Sequence, residues 1–147
     1  MAQVLADCGN DVLLWGRSSQ IVEEINDSHT NQKYLGKHVL PVQLRATEDI
    51  VQAFAHSSII VLAIPAQSLR QALVEWKSLI AADALIVSTL KGIELTSDLR
   101  MTEVIVDVLG TKNYAIITGP NLADELILRQ PAGAVACLLY TSPSPRD

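Results

Sequence analysis

A basic residue and two hydroxyls follow one of the apolar segments that the sequence predicts to be buried strands. Residues 11–15 read DVLLW, and Gly16, Arg17, Ser18 and Ser19 come directly after them. In a parallel sheet that binds a dinucleotide, an acidic residue at this place binds the ribose of NAD, whereas an arginine accommodates the 2′-phosphate of NADP. A guanidinium binds phosphate through two parallel hydrogen bonds. Arg17 is therefore predicted to bind a 2′-phosphate, and a solvent-exposed loop arginine is the alternative.

Two further segments place polar groups after predicted strands. Lys91 follows residues 84–88, at the edge where open α/β sheets bind their ligands. It is predicted either to hold an anionic substrate or to be an ordinary loop lysine. The tripeptide Gly119-Pro120-Asn121 follows the next predicted strand. Asn121 is predicted to cap a helix whose free amides can receive an anion, and a plain turn with a cap is the alternative.

The apolar pattern predicts the elements that would position these residues. Near-continuous apolar runs, typical of parallel strands covered on both faces, lie at 11–15, 58–64, 84–88 and 114–118. Weaker strand candidates lie at 44–47 and 132–137. Amphipathic helical patterns alternate with the strands at 1–6, 19–26, 49–56, 67–79 and 96–109. The last of these is expected to begin at Thr96 or Ser97 and to end at Gly110.

This alternation of strands and helices predicts the class of fold. A strand, a helix and a parallel strand form a right-handed crossover, and repeated crossovers build a doubly wound α/β sheet. We therefore expect the four main strands to belong to one parallel sheet with helices on both faces.

Composition bounds the class of protein. Of the 147 residues, 49% are hydrophobic and 18% are charged, so the chain can bury the core of one domain. A net charge of −5 argues against a nucleic-acid partner. The longest uncharged run is too short and too polar for a membrane span. Cys8 and Cys137 have no metal-ligand spacing. We expect a cytoplasmic protein without a metal, in contact with neither membrane nor nucleic acid.

Taken together, a series of short motifs identifies one family. They are LLWGR (13–17), EIN (24–26), HTNQKYL (29–35), LP (40–41), ATED (46–49), AIP with SLR (63–70), LKGIE (90–94), EVI (103–105) and GPNLADE (119–125). In this order and spacing they resemble the N-terminal domain of the bacterial NAD(P)-dependent sn-glycerol-3-phosphate dehydrogenase. The resemblance covers residues 1–136 as a partial NAD(P)-binding domain, and residues 137–147 are expected to be a disordered segment outside the family.

The resemblance implies an oxidoreductase that reduces dihydroxyacetone phosphate to sn-glycerol 3-phosphate for phospholipid synthesis. It implies NADP or NAD as the cofactor, with NADP favoured because of Arg17, and a homo-oligomeric full-length protein. The cofactor-binding residues it implies are Arg17, Ser18, Tyr34, Lys91 and Ala123. The substrate-binding residues it implies are Lys91, Gly119 and Asn121.

Two parts of the family pattern are not found in the sequence. A glycine-rich phosphate loop, with the first strand of a Rossmann-type sheet, would precede Met1, and the helical domain with the general acid/base lysine would follow. No catalytic residue is therefore predicted within the chain, which we expect to be inactive alone. Loss of a central strand is expected to leave two buried strand edges either unpaired or re-paired.

Two other functions are open. One is a non-catalytic Rossmann-type module that binds a nucleotide or a partner. The other is a different Rossmann-type oxidoreductase, such as a relative of ketopantoate reductase, which the KGIE and GPNLA motifs disfavour.

Overall fold

The structure is a computed structural model that describes residues 1–138. The chain forms two compact units, Met1–His56 with Pro120–Gly133, and Ser57–Gly119 with the segment that begins at Ala134. Each unit has its own sheet and its own apolar core. Most of the tail predicted at 137–147 lies outside the described residues. Across residues 1–138, no helix is both long enough and apolar enough to span a bilayer.

Helices and strands alternate along the chain, as the apolar pattern predicted. In chain order they are α1 (Ala2–Asp7), β1 (Leu13–Trp15), α2 (Ser19–Ser28), α3 (Gln32–Leu35), β2 (Arg45–Thr47), α4 (Ile50–His56), β3 (Ile59–Leu62), a 3₁₀ turn (Ala66–Ser68), α5 (Leu69–Trp76), β4 (Leu85–Ser88), α6 (Met101–Leu109), β5 (Tyr114–Thr118), α7 (Ala123–Ile127) and β6 (Val135–Leu138).

The first unit is built on a pair of short parallel strands. β1 pairs with β2 so that Leu13 lies opposite Arg45 and Trp15 lies opposite Thr47. Helix α2 buries one apolar face, because residues three and four apart lie on the same side of a helix. The buried apolar residues of this unit are Ala6, Val22, Ile25, Leu40, Leu44, Ala46 and Ile127.

The second unit contains a four-stranded sheet in the order β3-β4-β5-β6. The first three strands are parallel, and α5 and α6 lie in the crossovers that parallel neighbours require. Side chains of these helices and strands share one core. Its buried residues are Leu62, Leu69, Leu73, Ala84, Ile86, Met101, Val104, Ile105 and Val108.

The prediction that four main strands form one parallel sheet was wrong. β1 belongs to a two-stranded sheet, whereas β3, β4 and β5 belong to another. Within residues 1–138, no strand pairs with both β1 and β3. A ladder passes from one strand to the next only through a shared neighbour, and neither sheet supplies one for β1 and β3. The last strand also differs, because β6 runs antiparallel to β5.

Helix α6 begins later than predicted. The sequence favoured a start at residues 96–97, but the first helical residue is Met101. Ile93 and Arg100 instead form an isolated antiparallel bridge, and Asp98 has a φ of 58°. These contacts fold residues 93–100 into a tight loop, which cannot be helical at the same time. The end of the helix is as predicted, at Gly110, where φ is 71°.

Candidate functional site

The residues that follow β4 and β5 contact each other. Lys91 Nζ donates a hydrogen bond to the carbonyl oxygen of Gly119, at 2.8 Å. Because β4 and β5 are parallel, their carboxyl ends lie at the same edge of the sheet. Lys91 is exposed, and its ammonium group carries two N–H donors beyond the one bound to Gly119. This edge therefore presents a cation at the place where open α/β sheets bind ligands.

Gly92 allows the backbone after Lys91 to pass close to another segment. Its φ is 133°, a conformation that residues with a Cβ rarely adopt. A Cβ built at this position would lie 3.6 Å from the Cβ of Ala66. Backbone conformation, more than lack of space, therefore favours glycine here.

Arg17 and Ser18 lie between the end of β1 and the beginning of α2. β1 is extended by Gly16, whose N–H donates to the carbonyl of Thr47 at 3.0 Å. Arg17 is exposed and makes no hydrogen bond or ion pair with any described residue. Ser18 is the N-cap residue of α2, and its hydroxyl makes no capping bond. A guanidinium and a hydroxyl are thus available together, and this donor set suits a phosphate group.

Tyr34 lies in the short helix α3 and is 66% exposed. The ammonium nitrogen of Lys33 lies 5.3 Å from the centre of its ring, which is within the range of a cation–π contact. The ring is accessible, and its predicted contact with a nucleotide stays a prediction.

Asn121 does not cap a helix, contrary to the prediction. Helix α7 begins at Ala123, and its N-cap residue is Leu122, in an extended conformation. Asn121 therefore lies one residue too early for its side chain to take the N-cap place. Its Oδ1 atom is buried and has no hydrogen-bond partner among the described residues. Ala123 is the exposed first residue of α7, which is too short for an anion site at its N-terminus.

A charged network includes Glu94, three residues after Lys91, and no sequence pattern predicted it. Arg70 Nε lies 2.9 Å from Oε1 of the buried Glu94, and Arg70 Nη1 lies 2.6 Å from Oδ2 of Asp107. The hydrogen bonds from Arg70, and then the one from Ser97, hold the pKa of Glu94 below its usual range. No spacing rule in the sequence pairs Arg70 with Glu94, which lies 24 residues away.

Parallel strands joined by helices, with polar residues after the carboxyl ends of the strands, are typical of the Rossmann class of nucleotide-binding folds. A sequence model described as "NAD-dependent glycerol-3-phosphate dehydrogenase N-terminus" matches residues 1–141. The chain belongs to this family.

Curated relatives of the chain are described as glycerol-3-phosphate dehydrogenases. The glycerol-3-phosphate dehydrogenase [NAD(P)+] of Corynebacterium jeikeium is 45% identical in an alignment of 140 residues that covers 93% of this chain and 42% of that protein. The protein of the same description from Streptomyces avermitilis is 47% identical in an alignment of 137 residues that covers 91% of this chain and 41% of that protein. The chain thus spans less than half the length of these relatives.

Solved structures confirm the α/β, Rossmann-type fold. The glycerol-3-phosphate dehydrogenase of Coxiella burnetii matches with a TM-score of 0.83 and 29% identity, over 92% of this chain and 41% of that one. A prephenate dehydrogenase from Aquifex aeolicus matches with a TM-score of 0.57 and 13% identity, over 83% of this chain and 38% of that one. The second likeness concerns the fold alone.

Proposed function

We propose that the chain is the nucleotide-binding part of an enzyme that reduces dihydroxyacetone phosphate to sn-glycerol 3-phosphate. The observation that carries this proposal is the exposed ammonium of Lys91, bound to the Gly119 carbonyl at the carboxyl edge of parallel strands. A cation in this position suits an anionic substrate. Membership of the glycerol-3-phosphate dehydrogenase family narrows that substrate to a phosphorylated ketone.

On the substrate side, we assign the binding contacts to Lys91, Gly119 and Asn121. The two remaining N–H donors of Lys91 hold the substrate phosphate and touch the cofactor. The unpartnered Oδ1 of Asn121 supports a polar contact with the substrate, because a buried polar atom without a partner is costly. Gly119 contributes by fixing the place of the lysine.

On the cofactor side, Arg17 and Ser18 bind the phosphate on the adenosine ribose. The absence of any competing ion pair for Arg17 within the described residues supports this assignment. Tyr34 lines the nucleotide, and Ala123 lies beside the nicotinamide. The cofactor is NADP in preference to NAD, because Arg17 follows β1 and no carboxylate lies between Arg17 and Glu23.

The nicotinamide, when bound, supplies the hydride that reduces the carbonyl carbon of the substrate. The described residues bind and orient the substrate and cofactor, and none of them is assigned the proton that must reach the resulting alkoxide. We further place the whole enzyme in the cytoplasm, as a homo-oligomer whose product enters phospholipid synthesis.

The test is the Lys91→Gln variant of the enzyme extended with the segments that its relatives contain. Loss of a charge-assisted contact of about 1.5–3 kcal/mol lowers kcat/KM for dihydroxyacetone phosphate about ten- to a hundredfold. Lys112→Gln, at another exposed lysine of the same unit, is the matched control and retains activity. An unchanged kcat/KM in Lys91→Gln overturns the proposal. An extended protein that binds NADPH without turnover favours the non-catalytic module instead.

A further inference from the structure

The side chain of Gln67 binds the backbone of the loop after Lys91 with two hydrogen bonds, as a neighbouring strand would. Gln67 Nε2 donates to the carbonyl of Ile93 at 2.9 Å, and Gln67 Oε1 accepts the N–H of Leu95 at 3.1 Å. Gln67 lies in the 3₁₀ turn that follows β3. The backbone on either side of Glu94 is thereby joined to the beginning of α5.

The side chain of Glu94 lies between these two backbone contacts, and it is bound by a residue at the beginning of α5. Arg70 binds both carboxylate oxygens of Glu94, with N–O distances of 2.9–3.0 Å, and Ser97 donates to the same carboxylate. Glu94 is 6% exposed, so this is a pair with one partner buried. Removing one member of such a pair destabilises a protein by more than the intact pair stabilises it, because the other charge is left unpaired.

The two segments also run close to each other at Gly92. Gly92 approaches Ala66 closely enough that an added Cβ would be in van der Waals contact with it. Residues 66–70 thus bind residues 92–95 at two backbone groups and at a buried carboxylate, and the two segments run close to each other at Gly92. Lys91 immediately precedes this fixed stretch, and the ammonium group of its side chain is bound to the carbonyl oxygen of Gly119.

We infer that Gln67 and Arg70 are positioning residues, which fix the loop at residues 92–95 and thereby hold the Lys91 ammonium at the carboxyl edge of the sheet. The inference rests on the proposed function, because it gives the network a role only if Lys91 binds a ligand. The arginine of this ion pair belongs to the SLR motif and the glutamate to the KGIE motif.

The experiment uses the 147-residue chain without a ligand. The acetylation rate of Lys91 by a brief pulse of an N-hydroxysuccinimide ester is measured by peptide mass spectrometry, relative to that of Lys112. In Gln67→Ala the loop loses two hydrogen bonds, and the relative rate at Lys91 rises about two- to tenfold. Arg70→Gln produces a rise at least as large, and Arg70→Lys, which keeps the charge, restores part of the protection.

Asp107→Asn is the matched control. It removes a carboxylate partner of the same arginine, but one that lies on α6 and not on the loop. The Lys91 rate therefore stays close to that of the unmodified chain. Gln67 is exposed, so Gln67→Ala keeps the core intact even if Arg70→Gln fails to fold.

Two results overturn the inference. One is an unchanged Lys91 rate in Gln67→Ala, and the other is an equal rise at Lys91 and Lys112, which indicates general loosening. Failure of the proposed function has a different signature. In that case the Lys91 rate responds as expected, whereas Lys91→Gln leaves kcat/KM of the extended enzyme unchanged.

Discussion

The side chain of Asn26 pairs with both backbone polar groups of Ala46. Its Oδ1 accepts the N–H of Ala46 at 2.8 Å, and its Nδ2 donates to the carbonyl of Ala46 at 3.0 Å. The neighbouring residues Arg45 and Thr47 hydrogen-bond towards β1, so Ala46 faces the other edge of β2. No strand among residues 1–138 pairs at that edge. Asn26 thus takes the place of a strand neighbour and covers part of an open edge.

Replacing Asn26 by alanine is expected to destabilise the chain by about 1–3 kcal/mol, because two hydrogen bonds of ordinary strength are lost. Asn26→Asp keeps an acceptor for the Ala46 N–H but sets a carboxylate against the Ala46 carbonyl, so it is also destabilising. Urea unfolding followed by circular dichroism measures both. Asn10→Ala removes a single exposed hydrogen bond and serves as the control, with a smaller loss. Equal losses in Asn10→Ala and Asn26→Ala would contradict the role of Asn26.

Arg17 is expected to set the cofactor preference of the extended enzyme. A charge-assisted phosphate contact is worth about 1.5–3 kcal/mol, so Arg17→Asp raises KM for NADPH about ten- to a hundredfold and affects NADH less. Arg17→Lys keeps the charge without the paired donors and gives an intermediate preference. Michaelis constants for both cofactors provide the measurement. The same NADPH-to-NADH ratio in all three proteins would remove Arg17 from the cofactor site.

Stability is expected to fall in acid partly through Glu103. Its carboxylate accepts a hydrogen bond from the Arg100 side chain and another from the Arg100 backbone N–H, each at 2.8 Å. These bonds lower the pKa of Glu103 from 4.5 to about 2. A carboxyl whose pKa is lower in the folded state stabilises that state above its unfolded pKa, and the contribution is lost as pH falls from 4.5 towards 2.

Thermal unfolding from pH 6 to pH 2 tests this dependence. Glu103→Gln lowers Tm at pH 6 and loses less on acidification than the unmodified chain does. Glu75→Gln, at an exposed glutamate with no ion pair among the described residues, is the control and keeps the original pH profile. Parallel profiles of Tm against pH for Glu103→Gln and the unmodified chain would show that the pKa of Glu103 is the same in the folded and unfolded states.

The 147-residue chain is expected not to reduce dihydroxyacetone phosphate at a measurable rate. Holding the reacting groups in place contributes about 7–11 kcal/mol, and a positioned acid adds about two to four decades. The chain spans 42% of the length of its relative from Corynebacterium jeikeium, and none of its described residues is assigned the role of the acid. NADPH oxidation by the chain is compared with that of the extended enzyme. Comparable turnover by the two would mean that residues of this chain perform the chemistry.

Apolar patterning predicted the positions of most helices and strands, because burial on one or both faces has a period that the sequence displays. It could not predict the direction of β6, since an apolar run carries no sign of the direction in which it pairs. It also misplaced the beginning of α6. Ser97 resembles a helix cap locally, but its hydroxyl binds Glu94, which is also fixed by Arg70 from a distant part of the sequence.

The sequence likewise predicted the positions of the candidate site residues better than it predicted their contacts. The ends of predicted strands pointed to Arg17, Lys91 and Gly119, and the structure brings the last two into contact. The capping role expected for Asn121 failed because Leu122 occupies the N-cap place of α7. The partner of Arg70 depends on how α5 packs beside a loop, and no spacing rule in the sequence expresses that geometry.

The hydrogen bond between Lys91 and Gly119 also affects the entropy of binding. When a ligand immobilises a free lysine side chain, the loss of conformational entropy costs about 0.5–1.5 kcal/mol of binding free energy. In this chain that freedom is already restricted on folding, since Nζ is bound to a carbonyl at 2.8 Å. An anion that arrives at the two remaining N–H donors therefore meets a lysine that is ordered beforehand, so more of its contact energy is retained as affinity.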